Sequence, residues 1–97
     1  MAFLWDWPPD QEIRGLKLVC TCGACPEQYD VLNSQGIEVG YLRLRHGHFR
    51  AEYTPSDEEV YSADTNGDGI FDEDERQFHL EKAVDAILER MNKWNSN

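Results

Sequence analysis

Basic residues are scarce in this chain of 97 residues. Nine Lys and Arg stand against nineteen Asp and Glu, a net charge of −10. A surface of that sign repels free nucleic acid, so direct DNA or RNA binding by the acidic face is not expected. Long apolar runs are missing as well, and none approaches the ~18 residues of a membrane span. The opening residues, Met1 to Asp10, contain neither a basic stretch nor a long apolar one. They do not read as a secretory signal, and a cytoplasmic location with reduced cysteines is the expectation. Catalytic motifs are absent too. There is no nucleophile elbow, no phosphate-cradling glycine loop before a helix and no H-E-x-x-H, so an enzyme is not expected.

What is present suits one small globular domain, with 40% hydrophobic and 11% aromatic residues. The charge is uneven. Residues 57–97 carry a net of −8, and nine acids but no base fall between Asp57 and Glu75. Such a stretch solvates a face, binds cations, or offers a negative surface to a basic protein groove.

Residues 1–15 read as an irregular arm, with Trp5 and Trp7 before the Pro8-Pro9 break; the tryptophans are expected to dock on the body or on a partner, the body being the commoner outcome. Residues 16–97 read as a single α+β domain. Leu16 to Cys22, Gln28 to Leu32, Ile37 to Arg45 and His48 to Thr54 fit strands, with a turn at Asn33-Ser34-Gln35-Gly36 and a tight hairpin at His46-Gly47. The apolar parity switches between Val39 and Leu42, which predicts a β-bulge at Gly40. Ser56 and Glu59 fit a capping box and a short helix, while Val60-Tyr61 fits a further strand, the preferred reading. From residue 73 to about 94, Leu80, Val84, Ile87, Met91 and Trp94 form one apolar stripe of a helix. The predicted fold is a three- or four-stranded antiparallel β-meander with one C-terminal amphipathic helix packed on the sheet.

Two segments carry candidate chemistry. Residues 64–75 place Asp64, Asn66, Asp68, Asp72 and Glu75 at positions 1, 3, 5, 9 and 12 of a calcium loop, with the Ile70 carbonyl at 7 and Gly69 at 6. Over these twelve residues the chain resembles the EF-hand and dockerin loops. It departs from them in Phe71 at the hydrophobic slot, in its short entering segment and in having no second loop. The resemblance implies calcium as cofactor. A metal-free reading stands beside it: Asp72 and Glu75 have capping-box spacing, and acids in a helix's first turn favour its dipole.

The second segment is Tyr41 to Ala51, with three of the nine Lys and Arg, two of the three His and no acid. Leu44 opposite Phe49 sets a register that opposes Arg43 to Arg50 and Arg45 to His48. Like charges so placed repel, and a bridging anion would relieve them. Tyr41, Arg43, Arg45, His48 and Arg50 are therefore candidate ligands for an anionic or phosphate-bearing molecule; intramolecular pairing with Glu52 and the acidic segment is the competing reading. Cys20, Cys22 and Cys25, with His46 or His48, would make a Cys₃His zinc site, although ordinary thiols fit the spacing better.

The strings 25–31, 39–47 and 67–71 are similar to small uncharacterised bacterial and phage proteins, over roughly residues 16–90. That likeness implies a phage or host accessory protein and no activity. The expected function is a small non-enzymatic binding or inhibitor protein of accessory or anti-defence type. It would act through the Arg/His hairpin on a small anionic ligand or protein partner, or through the acidic face in a basic groove. A calcium-binding module and a structural zinc protein are the alternatives.

Overall fold

The structure, a computed structural model, describes residues 9–23 and 26–95. Trp5, Trp7 and Cys25 lie outside the described residues, as does the side chain of Trp94. Six strands run in order: β1 Gln11–Ile13, β2 Leu16–Gly23, β3 Glu27–Leu32, β4 Glu38–Arg45, β5 His48–Tyr53 and β6 Glu58–Asp64. Each pairs antiparallel with the next, giving one meander. Helix α1, Glu73–Asn95, packs on one face of the sheet, mainly against β4, β5 and β6. No helix among the described residues is long and apolar enough to cross a membrane.

The architecture is the one the sequence predicts, but the sheet has six strands rather than three or four. β6 is the strand preferred for Val60-Tyr61, and the capping-box helix does not form there. The strand the sequence did not suggest is β1, inside the stretch read as an irregular arm. It is only three residues long and turns through Arg14 and Gly15, at φ of 50° and 87°. Two residues at positive φ make the tight turn whose twist suits a hairpin. Arginine rarely fills such a position, so the turn leaves little trace in the sequence.

Period-2 patterning puts Leu18, Tyr29, Val31, Leu42, Leu44, Phe49 and Ala51 on the helix side of the sheet, all fully buried. They meet Leu80, Ala83, Val84 and Ile87, spaced i, i+3, i+4, i+7 and also fully buried. Each large side chain contributes about 1.5–3 kcal/mol by leaving water. Met91 flanks this cluster half-buried.

The bulge lies one residue earlier than predicted. Val31 faces Gly40 and Leu32 faces Glu38, so Val39 is the extra residue. Gly40 itself stays in register with Val31 and lies beneath Ile87 of α1, with no room for a side chain. A Cβ on Gly40 would lie 2.5 Å from Ile87 Cδ1 and 3.2 Å from Val31 Cβ. Gly40→Ala should therefore destabilise by about 1–3 kcal/mol, read from a urea midpoint. Ile87→Val in the same chain should recover part of that loss.

Candidate functional site

The hairpin register is the one the sequence predicts: Leu44 faces Phe49, Arg43 faces Arg50, and Arg45 faces His48. The turn uses His46 and Gly47, at φ of 55° and 74°. Leu44 and Phe49 point into the core, so the four polar residues stand together on the opposite, helix-free face. Tyr41 shares that face and donates its hydroxyl to Gln28 Oε1 at 2.8 Å. Gln28 in turn is the β3 neighbour of Arg43.

Intramolecular acids reach half of this quartet. Arg50 pairs with Glu52, which holds its guanidinium firmly charged. His48 Nδ1 lies 3.2 Å from Asp64 Oδ1. Arg43 and Arg45 have no ion-pair partner among the described residues. The remaining arginines are all paired: Arg14 with Glu81 and Asp85, Arg76 with Glu27 and Glu73, Arg90 with Glu58.

The acidic loop folds back onto the same end of the sheet. Gly47 N–H donates to Asp68 O at 3.0 Å, Thr65 N–H to Gly47 O at 2.8 Å, and Glu27 N–H to Gly69 O at 2.8 Å. A half-open cleft of about 270 Å³ remains between turn and loop, lined by Arg45, His46, Asp68 and Gly69.

Within the loop the six candidate calcium residues do different things. Asp64 pairs with His48, while Asn66, Asp68, Ile70 and Asp72 are exposed. Glu75 is the organiser. One of its oxygens accepts the Asn66 N–H at 3.0 Å, and the other accepts Gly67 N–H at 2.8 Å and Asp72 N–H at 3.1 Å. The last of these is half of the expected capping box, with Asp72 preceding the helix. The oxygen that accepts both Gly67 and Asp72 N–H has its two acceptor sites filled, so bidentate calcium binding by Glu75 would have to displace at least one of these donors. Among the described residues no three carboxylate, imidazole or thiol side chains converge on one point.

Burial works to raise the Glu75 pKa, but the three N–H donors and nearby His79 outweigh it and hold it below the usual carboxylate value. A depressed folded pKa stabilises the protein above the unfolded value, near ~4.3. That contribution is lost as pH falls through the lower folded value. Glu75→Gln should reduce stability at neutral pH by roughly 1.5–3 kcal/mol, the range of charged hydrogen bonds. The deficit should shrink in urea melts below about pH 4. A deficit independent of pH would mean that shape rather than charge holds the loop.

The cysteine pattern is split by a second bulge. Cys20 faces Tyr29 and Cys22 faces Gln28, adjacent residues of β3, so the two thiols sit on opposite faces. Cys20 packs against the core, and burial raises its pKa. A zinc ion would need Cys20 and Cys22 on one side.

Sequence reasoning missed Glu27, whose side chain is fully buried. Its carboxylate accepts Phe71 N–H at 3.0 Å, Arg76 Nε at 2.9 Å and Nη2 at 3.3 Å, and the Tyr29 hydroxyl. The signal was the alternation Glu27, Tyr29, Val31, which puts a carboxylate on the apolar face of β3. Its partner stands 49 residues away, which no local pattern shows.

Comparisons with protein-family models, curated proteins and solved structures found no match to this chain.

Proposed function

We propose that this chain is a small non-enzymatic binding or inhibitor protein, of the accessory or anti-defence kind, that works by contact. Its contact surface is the helix-free face of the β4–β5 hairpin. The ligand is anionic, a phosphate-bearing small molecule or an acidic patch of a partner protein. One observation carries the reading. In a chain with nineteen acids, the two arginines without an ion pair among the described residues, Arg43 and Arg45, are neighbours on one strand face. Guanidinium forks match phosphate and carboxylate geometry, and Gln28 and Tyr41 add neutral hydrogen-bonding groups beside them.

Arg43→Ala combined with Arg45→Ala tests this. Both side chains lack ion-pair partners among the described residues, so stability should stay within about 0.5 kcal/mol of wild type. Binding of inorganic phosphate and of short acidic peptides, followed by amide chemical shifts, should be lost. Unchanged binding in the folded double variant would sink the reading.

A second reading rests on β6. It is an edge strand of seven residues, and among the described residues no backbone hydrogen bond reaches its outer edge. Glu58, Glu59 and Asp64 on that strand would suit a basic groove. Glu58→Gln with Glu59→Gln would weaken a partner held there and leave an anion on the hairpin untouched.

A further inference from the structure

We propose that the cleft between the hairpin turn and the acidic loop takes a small zwitterion, with an anionic group on Arg45 and an amine on Asp68. This rests on the anion reading above and narrows it at one end of the basic face.

The cleft is built rather than incidental. Its two walls are joined by the backbone hydrogen bonds of Gly47 to Asp68 and of Thr65 to Gly47, at 3.0 and 2.8 Å. The loop wall is pinned to β3 through Gly69, and its approach is clamped by Glu75. At about 270 Å³ it matches a small molecule and not a macromolecule.

The lining is charged on both sides. Arg45 comes from the end of β4 and Asp68 from the loop, and no ion pair joins them. Neither side chain has another partner among the described residues. A simple anion seated on Arg45 therefore meets the Asp68 carboxylate across the cleft and is repelled by it. A ligand that also carries an ammonium group turns the repulsion into attraction. His46 also lines the cleft, from a backbone φ of 55°, where Asn or Gly would fit with less strain. Its imidazole supplies one more hydrogen-bonding group at the mouth.

The probes are O-phosphoethanolamine and propyl phosphate, which has a methyl where the first has its ammonium. Amide chemical shifts of Gly47 and Gly69 in the full chain report binding. Wild type should prefer O-phosphoethanolamine by about fivefold, the scale of one exposed charge contact. Asp68→Asn should erase the preference, and Arg45→Gln should weaken both ligands. Both side chains are exposed and have no partner among the described residues, so each variant should melt like wild type. Equal affinities in wild type, or a preference that survives Asp68→Asn, would overturn the zwitterion. In that case the anion reading still stands if Arg45→Gln weakens both ligands. Absence of binding by either probe, or binding indifferent to Arg45→Gln, would overturn both.

Discussion

Replacing Arg76 by Ala should destabilise this protein by about 3–5 kcal/mol, the range for removing one partner of a buried ion pair. That is a large share of the roughly 5–15 kcal/mol that holds a domain together. The reason is what would be left behind. Glu27 is fully buried on β3, and Arg76 supplies two of its hydrogen bonds and its only opposite charge among the described residues. Without the guanidinium, a carboxylate in the core keeps only the Phe71 N–H and the Tyr29 hydroxyl. The Tyr29 phenol is itself held far above its ordinary pKa, first by burial and then by Glu27, so it remains a donor. Three elements would loosen together, because this node ties β3 to the loop through Phe71 and to α1 through Arg76. Urea unfolding measures the loss. Glu27→Met with Arg76→Met should recover much of it, since an apolar pair of similar volume leaves no charge behind. A loss below about 1 kcal/mol in Arg76→Ala would place the pair at the surface in solution.

Gly67→Ala should be nearly as damaging, at about 3 kcal/mol, the upper end for overpacking. A Cβ at this position would fall 1.9 Å from the Ile70 carbonyl oxygen, 2.8 Å from its carbon and 2.9 Å from Phe71 Cα. All three are backbone atoms, so no rotamer change relieves the clash and the loop must open. Gly67 N–H is also a donor to Glu75, and Gly67 O accepts from the Thr65 hydroxyl at 2.7 Å. Its displacement would therefore loosen the clamp and the docking on Gly47. Faster hydrogen exchange at the Gly47 and Glu27 amides should accompany the lost stability. In a calcium loop the glycine of the sharp turn stands at position 6, here Gly69. Here steric crowding falls on position 4, and the demand on glycine is for space, since Gly67 is not at positive φ.

The hairpin was legible in the sequence because local rules fix it. His46-Gly47 sets the turn, and one apolar pair, Leu44 with Phe49, sets the register of every residue on both strands. The helix was legible from the spacing of Leu80, Val84 and Ile87. Short β1 was not, since three residues carry too little pattern and Arg14 disguises its turn. The bulge was misplaced by one residue because a parity switch locates an extra residue only to within its neighbours. In the fold Gly40 keeps its pairing with Val31 beneath Ile87, and Val39 is the extra residue. Of the basic quartet, the sequence showed who stands opposite whom, but not which arginines find acids. That depends on β6 bringing Asp64 to His48 and on Glu52 reaching Arg50. The loop's acids were visible as a ligand pattern and as a cap. Only the fold shows Glu75 accepting three backbone amides at once.

The central claim is that the helix-free face of the hairpin is the working surface. A titration of the ¹⁵N-labelled chain with inorganic phosphate, read residue by residue, tests it most directly. Shifts should concentrate at Gln28, Arg43, Arg45 and the Gly47 turn, saturate with added phosphate, and vanish in the Arg43→Ala, Arg45→Ala double variant. Saturable shifts confined to β6 or α1, or no saturable shift at all, would contradict the account.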